Sequence, residues 1–304
     1  MIAIVKAMLR RVRITQTVRC MHNLYKFGLL VVTIQAAAKG ILNYGPRHRF
    51  TIAFYPDTVQ CHFEMHRIML LKRYRRAKPN ERPDIRLFRA TSAHSRPVIA
   101  SIQSLNGECT NTSKIHIDRV HRRVFGYNLQ IDPLTFVGAA FVKSDEDGTQ
   151  DGSTVQLPVN CPARGAIYQR IVDNIMPDGT RQDICIPIVA GRIPFVHTRY
   201  RRLEARIGPP MEGKGEFRAT NEIISNSEQA AIMLMCREMK FEFGELDAIR
   251  DNRDGRIYII DFNLNTGGGV WPKEMRTKTE YWHYLESFAD AFDHAYVEPL
   301  MEGV

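Results

Sequence analysis

The feature that most constrains this 304-residue chain is a pair of extended segments near its C-terminal end, within residues 244–269. The segments are joined by Asp254 and Gly255, and both residue types tolerate the positive φ that a tight β-hairpin needs. The sequence therefore predicts a strand, a turn and a second strand. Side chains with oxygen ligands fall on both strands: Asp247 on the first, and Asp261 and Asn263 on the second.

Two of these side chains are predicted to share one face of the second strand. The two-residue period of a strand puts Asp261 and Asn263 on the same side as Ile257 and Ile259. An acid and an amide at the end of an apolar face are costly to bury without a partner. Mg²⁺ prefers carboxylate and carbonyl oxygens and often shares them with substrate phosphates. The hairpin therefore indicates a metal–nucleotide site, and the alternative is a surface hairpin whose acids are only solvated.

Length and composition indicate a globular protein of two or three subdomains. Hydrophobic residues make up 44% of the chain and charged residues 25%, which is ordinary for such a protein. The six cysteines are scattered, without a CxxC pair or a histidine cluster at zinc spacing, which favours free thiols in a reducing compartment. The apolar run at 28–38 is too short to span a bilayer. We therefore expect a cytoplasmic protein without a membrane span.

The charge is unevenly distributed along the chain. Residues 1–130 contain 23 Lys and Arg against 6 Asp and Glu, whereas residues 131–304 contain 19 against 27. A basic region of this kind could attract nucleic acid, anionic lipid or an acidic substrate. Its densest run, residues 72–76, is predicted to be a solvated helix face or loop, because no recognised nucleic-acid fold accompanies it.

The first 56 residues contain no acidic residue. An Arg-rich, acid-poor start is typical of an organelle transit peptide. It also fits a mis-called start codon or a basic surface helix, and these two readings together are favoured.

The first half of the chain alternates between helical and extended patterns. The sequence predicts a helix over 22–42 closed by Gly40, strands over 50–55 and 98–102, and a helical segment near 60–76. This alternation is typical of a small α/β domain with a parallel sheet.

Closely spaced strands follow from Gly138 onward, which indicates an antiparallel sheet. They are predicted over residues 139–143, 154–157, 166–171, 184–189 and 193–198. Helices are predicted over 114–124 and 225–240, the second capped by Ser225, Asn226 or Ser227 with Glu228 in its first turn. A closing helix carries a core-facing stripe of Trp282, Leu285, Ala289, Phe292 and Tyr296.

The ordered set of motifs over about residues 138–270 resembles the ATP-grasp superfamily, and within it the ribosomal-protein glutamate ligases. The resemblance implies an α/β (α+β) ATP-grasp fold with a small N-terminal parallel α/β domain, an antiparallel lid subdomain and a C-terminal central subdomain. The corresponding boundaries are a basic segment at 1–45, then domains or subdomains at 46–130, 131–172 and 173–304.

The resemblance also assigns roles to particular residues. It implies that Lys143, in Phe-Val-Lys-Ser, holds the nucleotide phosphates, that the hinge pair Gln169-Arg170 contacts adenine, and that Asp183 contacts the ribose. Gln169 stands where an acid is more usual, so an amide that can donate and accept would hold the base.

The remaining matches concern the metal and the reacting groups. The family's metal ligands align with Asp247, Asp261 and Asn263, although Asp261 is shorter than the common glutamate. Catalytic roles fall on Arg199, Arg218 and Asn221, the last two in Phe217-Arg-Ala-Thr-Asn221. Cys185 replaces an arginine of the closest relatives.

These matches imply an ATP-dependent ligase that joins a carboxylate to an amine or thiol through an acylphosphate. The implied cofactors are ATP and Mg²⁺, with Mn²⁺ as an alternative ion, and the implied partners are a carboxylate substrate and an amine or thiol acceptor. Two other classes stay open: a nucleotide-binding module without ligase activity, and a nucleic-acid-associated factor using residues 1–130. The second is not favoured, and a homodimer is allowed.

Overall fold

The protein is described here by a computed structural model covering residues 24–60, 63–90, 93–94, 104–145, 152–202, 214–264 and 279–302. Its N-terminal elements are α1 (Leu24–Tyr44), β1 (Phe50–Pro56), α2 (Glu64–Leu71), β2 (Tyr74–Arg76), β3 (Ile85–Arg89), β4 (Ser104–Leu105) and α3 (Lys114–Phe125). The strands form a parallel sheet in the order β2-β1-β3-β4. Because β1 is almost wholly apolar, it occupies the centre of this sheet, between two neighbours.

The rest of the chain builds two antiparallel sheets. The smaller has the order β6-β5-β7 and the larger has the order β10-β9-β8-β11-β12. The elements are β5 (Gly138–Ser144), β6 (Ser153–Leu157), β7 (Ala166–Arg170), β8 (Thr180–Val189), β9 (Val196–Arg202), β10 (Lys214–Arg218), α4 (Thr220–Ile223), α5 (Asn226–Met239), β11 (Phe243–Arg250), β12 (Ile257–Asn263), α6 (Thr279–Phe292), a π-helical segment (Asp293–Val297) and α7 (Glu298–Glu302).

Alternation of side chains gives the five-stranded sheet one apolar face. Ile184 and Ile186 of β8 and Leu246 of β11 pack on this face against α3 and α5, through residues such as Ile117 and Met235. The predicted N-cap of α5 is confirmed, because Ser225 and Glu228 form a reciprocal capping box. The opposite face of the sheet is the one that carries polar residues.

A second core joins the N-terminal sheet to the end of the five-stranded sheet. The closing helix α6 contributes Leu285, Ala289 and Phe292 to it, as the sequence stripe predicts, together with Tyr296 of the π-helical segment. Trp282 is only partly buried at its edge. The parallel sheet, the small antiparallel sheet and the C-terminal sheet confirm the fold class predicted from the sequence.

Gly40 does not end the first helix, contrary to the prediction, since α1 continues to Tyr44. A Cβ atom at Gly40 would lie 2.2 Å from the carbonyl oxygen of Leu70. The glycine therefore permits close contact between α1 and α2.

The basic run at 72–76 is not a solvated helix face or loop. The helix before it ends at Leu71, and β2 begins at Tyr74. Lys72 and Arg73 are buried, and the Lys72 amine lies 2.7 Å from Asp290 and 3.1 Å from Asp293. The charged side chains of Lys72 and Arg73 are therefore part of the folded interior and not of a solvated surface.

The predicted strand at 98–102 and the basic start of the chain lie outside the described residues. Among the helices that the structure describes, none combines the length and the apolar character needed to cross a lipid bilayer.

Candidate functional site

The polar face of the five-stranded sheet carries most of the acids and arginines that the sequence singles out. Asp183 on β8 pairs across the ladder with Arg199 on β9, and Cys185 on β8 pairs with Asp247 on β11. Asp247 in turn pairs with Asp261 on β12. Paired residues on adjacent strands point to the same side of a sheet, so these side chains form one continuous polar surface.

A β-bulge corrects the predicted face of the second hairpin strand. The pairing passes from Asp247–Asp261 to Ala248–Ile259, which leaves Ile260 as the extra residue. Ile259, like Ile257, therefore packs in the apolar layer behind the sheet, whereas Asp261 lies on the polar face. The prediction that Asp261 and Asn263 share a face with those two isoleucines was wrong, because strict alternation does not anticipate a bulge.

The three proposed metal ligands lie close together. The side-chain amide of Asn263 donates to Asp247 Oδ2 at 3.3 Å, and Asp261 is the direct ladder partner of Asp247. Arg199 donates to Asp247 Oδ1 at 2.6 Å. Burial opposes ionisation of Asp247, but the charge of Arg199, the hydrogen bonds from Cys185 and Asn263 and the charge of Arg201 together hold the pKa of this carboxyl below its usual range. Asp247 is therefore a carboxylate, the form that binds metal ions.

A cavity of about 210 Å³ lies between the three-stranded and five-stranded sheets. Lys143 of β5, Gln169 and Arg170 of β7 and Asp183 of β8 all line it, so four residues predicted to contact a nucleotide converge on one space. The apolar part of its lining is formed by Leu129, Phe141, Ile171, Val172, Ile249 and Ile260. An apolar wall with a few polar groups is the usual composition of a small-molecule site.

The amine of Lys143 lies in a desolvated position. Burial lowers the pKa of Lys143 to about 8, while the negative charge of Asp261 opposes the shift. This electrostatic interaction links the cavity to the proposed metal ligands. A lysine with a pKa near 8 still carries its charge at neutral pH and can attract a phosphate.

Asp183 is buried and forms an ion pair with Arg201, whose Nε donates to Asp183 Oδ2 at 2.5 Å. Burial raises the pKa of Asp183, and Arg201 opposes the rise. Arg181 also lines the cavity, although sequence reasoning did not select it. The two-residue period of a strand could have indicated Arg181, because it lies two residues before Asp183 and therefore on the same side of β8.

No family model matches the sequence, and no curated protein matches it. Solved structures do resemble it in fold. D-alanine–D-alanine ligase from Bacillus anthracis has a TM-score of 0.49 at 10% identity, with 84% of this chain and 100% of that one covered. The RimK domain ATP-grasp protein from Sphaerobacter thermophilus has a TM-score of 0.47 at 9% identity, covering 81% and 99%. The ATP-grasp ligase PsnB, in a complex with Mg and ADP, has a TM-score of 0.49 at 10% identity, covering 82% and 98%.

The described sheets have the three-part arrangement expected from the sequence. These structural likenesses are distant, so assignment of chemistry depends on the residues of this chain.

Two of the predicted catalytic residues do not line the cavity between the three-stranded and five-stranded sheets. Arg218 ends β10 in an exposed position and donates to Glu216 at 2.6 Å, with Glu222 a further 3.7 Å ion-pair partner. Asn221 is exposed on the short helix α4. Arg199, by contrast, is buried on the polar face beside Asp247.

Cys185, which replaces an arginine in the motif, is fully buried on the polar face. Its thiol donates to Asp247 Oδ1 at 3.4 Å, and burial raises the pKa of Cys185 well above its usual value. His197 and Glu245, each two residues from a predicted site residue, are buried on the same face and were missed by sequence reasoning.

A larger cavity, about 510 Å³, lies between α1 and α6. Its described lining, which includes Lys39, Trp282 and Glu286, contains none of the residues predicted to bind a nucleotide or a metal ion or to take part in catalysis. The chemistry-bearing residues belong to the smaller cavity.

Proposed function

We propose that this protein is an ATP-dependent ligase that activates a carboxylate as an acylphosphate and joins it to an amine or a thiol. ATP would bind in the cavity between the three-stranded and five-stranded sheets. The observation that carries this proposal is the convergence of Lys143, Gln169, Arg170 and Asp183 on that cavity. The carboxylates of Asp247 and Asp261 lie beside it on the same sheet.

The lining of the cavity supports a nucleotide as the ligand. Apolar side chains such as Ile249 and Ile260 suit the faces of a base, while Gln169 offers both a donor and an acceptor to its edge. Lys143 supplies positive charge for the phosphates, and the Asp183 carboxylate can accept hydrogen bonds from ribose hydroxyls.

The residues on the polar face fit a divalent cation. Asp247, Asp261 and Asn263 would hold Mg²⁺ through two carboxylates and an amide oxygen, the hard oxygen ligands that this ion prefers. Bound there, Mg²⁺ would neutralise charge on the phosphate oxygens. The Asn263 amide now donates to Asp247, so its oxygen would have to turn toward the ion.

The reaction needs positioning more than covalent help from the protein. A substrate carboxylate oxygen attacks the γ-phosphorus, the bond to the β-phosphate oxygen breaks, and ADP leaves. The acceptor then attacks the acyl carbon, phosphate departs, and the acceptor loses a proton. Arg199 lies beside Asp247, where its positive charge can offset the negative charge that develops on the transferred group.

The test is ATP binding measured by calorimetry with and without Mg²⁺, on the wild type and on Asp261→Ala. We expect Mg²⁺-dependent affinity in the wild type and a loss of roughly tenfold or more in the variant. Asp254→Ala is the matched control, because Asp254 lies in the exposed turn of the same hairpin and pairs with Arg256. The control should bind ATP as the wild type does.

Equal ATP affinity in the wild type and Asp261→Ala would contradict the assigned metal site. ADP release should then be screened with carboxylates paired with amines or thiols. Retained Mg²⁺-dependent binding without ADP release from any pair would favour a nucleotide-binding module that has no ligase activity.

A further inference from the structure

Cys185, His197 and Glu245 form a compact cluster on three adjacent strands of the five-stranded sheet. Cys185 and His197 are direct partners on β8 and β9, and Glu245 lies two residues before Asp247, the partner of Cys185 on β11. The sulfur, the imidazole nitrogen and the carboxylate oxygen all lie within 4.8 Å of one another. Among the residues that the structure describes, this is the group of His, Cys, Asp or Glu side chains whose ligand atoms lie close enough together to hold one metal ion.

All three side chains are buried, with exposed fractions of 0%, 1% and 4%. The ring of Tyr284 lies 5.0 Å from that of His197. His197 Nε2 lies 2.8 Å from Glu245 Oε2, and the hydroxyl of Tyr284 donates to the same oxygen at 3.3 Å. A carboxylate buried this deeply needs a compensating charge.

We propose that Cys185, His197 and Glu245 bind a Zn²⁺ ion inside the sheet, a site separate from the proposed Mg²⁺ ligands. Thiolate sulfur, imidazole nitrogen and carboxylate oxygen are the zinc ligands of proteins, with bonds of about 2.0–2.3 Å. Two bonds to the ion would replace the hydrogen bond between His197 and Glu245, and the thiol proton would be released to solvent.

The charges of the surrounding groups balance this arrangement. A thiolate at Cys185 and a carboxylate at Glu245 together neutralise Zn²⁺, while Arg199 neutralises Asp247. The Tyr284 hydroxyl on Glu245 is a typical outer contact that orients a ligating carboxylate. A water molecule would complete the coordination as the fourth ligand.

The sequence pattern gives no hint of this site, because its residues come from three separate strands. Zinc motifs are recognised by short spacings such as CxxC. Here the ladder register brings the ligands together, and the ion would connect β8, β9 and β11 beside the cleft.

The test is the metal content of the full chain, expressed with zinc and dialysed, measured by mass spectrometry of the elements. We expect about one zinc per chain in the wild type, and loss of most of it in Cys185→Ser and in His197→Gln. Cys236→Ser is the matched control, since Cys236 is another buried free cysteine on α5, and it should keep the metal.

Cobalt substitution gives a second measurement, which does not depend on whether Cys185→Ser or His197→Gln folds, because it is made on the wild type and on Cys236→Ser. Wild type loaded with Co²⁺ should show a sulfur-to-cobalt absorption band that Cys236→Ser keeps. Wild type without zinc and without this band would overturn the proposal, as would zinc retained equally by Cys185→Ser and His197→Gln. Neither readout depends on ATP binding, so failure here is distinct from failure of the proposed ligase activity.

Discussion

At the residue scale, the character of the site depends on how single charges are paired. Arg199 forms an ion pair with Asp247, and Arg201 forms an ion pair with Asp183. Lys143 faces only partial compensation from Asp261, so burial lowers its pKa to about 8. The charge of Lys143 therefore changes near pH 8, close to neutrality.

Nucleotide affinity is expected to weaken as the pH rises through about 8, because Lys143 then loses the charge that attracts phosphate. The weakening should approach about tenfold per pH unit above that value. Lys143→Arg keeps its charge throughout this range and should show a flatter profile. Calorimetry of Mg-ATP binding between pH 7 and pH 9 measures both proteins, and identical profiles would rule out this role for Lys143.

At the element scale, the sequence predicts elements that follow from local pattern and misses those decided by neighbours. The hairpin of β11 and β12 and the cap of α5 follow from turn and capping residues that act locally. Gly40 is read as a terminator because its reason, contact with Leu70 of α2, lies 30 residues away. Lys72 is read as solvated because its partner Asp293 is distant in sequence.

The candidate site shows the same division. The identities of Asp247 and Asp261 could be predicted from the hairpin, but their shared face depends on the bulge at Ile260. Glu245 and His197 could not be selected, because only the ladder register brings them to Cys185.

The contact between α2 and α6 provides a test of buried charge. Arg67 and Glu64 form a 2.6 Å ion pair with both side chains fully buried, and Tyr281 of α6 donates to Glu64 at 2.6 Å. Glu64→Leu would leave the Arg67 guanidinium buried without its acid, so we expect a loss of about 3–5 kcal/mol in the free energy of unfolding. Urea denaturation measures this loss.

Two further variants complete that experiment. Glu64→Leu with Arg67→Met removes both charges and should recover much of the lost stability. Glu81→Gln, which breaks the more exposed pair with Arg75, should change stability far less. If the double variant is as unstable as Glu64→Leu alone, the loss comes from packing and not from an uncompensated charge.

At the scale of the whole molecule, the cleft is built by two sheets that have no strand in common. Lys143 and Gln169 come from the three-stranded sheet, and Asp183 and Ile260 come from the five-stranded sheet. A ligand in the cavity would therefore contact both bodies. Such a ligand stabilises the state in which the two sheets face each other.

Hydrogen exchange measured peptide by peptide should detect this coupling. Mg-ATP at about one hundred times its dissociation constant should slow exchange through opening of the cleft by up to about a hundredfold. Protection is expected in β5 and β7 together with β8 and β12, and Asp261→Ala should reduce it in both sheets. Protection confined to one sheet would mean that the ligand binds elsewhere.

The bulge at Ile260 places three nearby isoleucines, Ile257, Ile259 and Ile260, in different environments. Ile257 and Ile259 fill the hydrophobic layer behind the sheet, whereas Ile260 lies against the cavity. A comparison of hydrophobicity alone treats Ile257–Ile260 as one uniform run. Substitutions at Ile257 and Ile259 should therefore change mainly the stability of the fold, and substitutions at Ile260 mainly the choice of ligand. Within four residues, one backbone irregularity separates side chains that support the fold from a side chain that contacts the ligand.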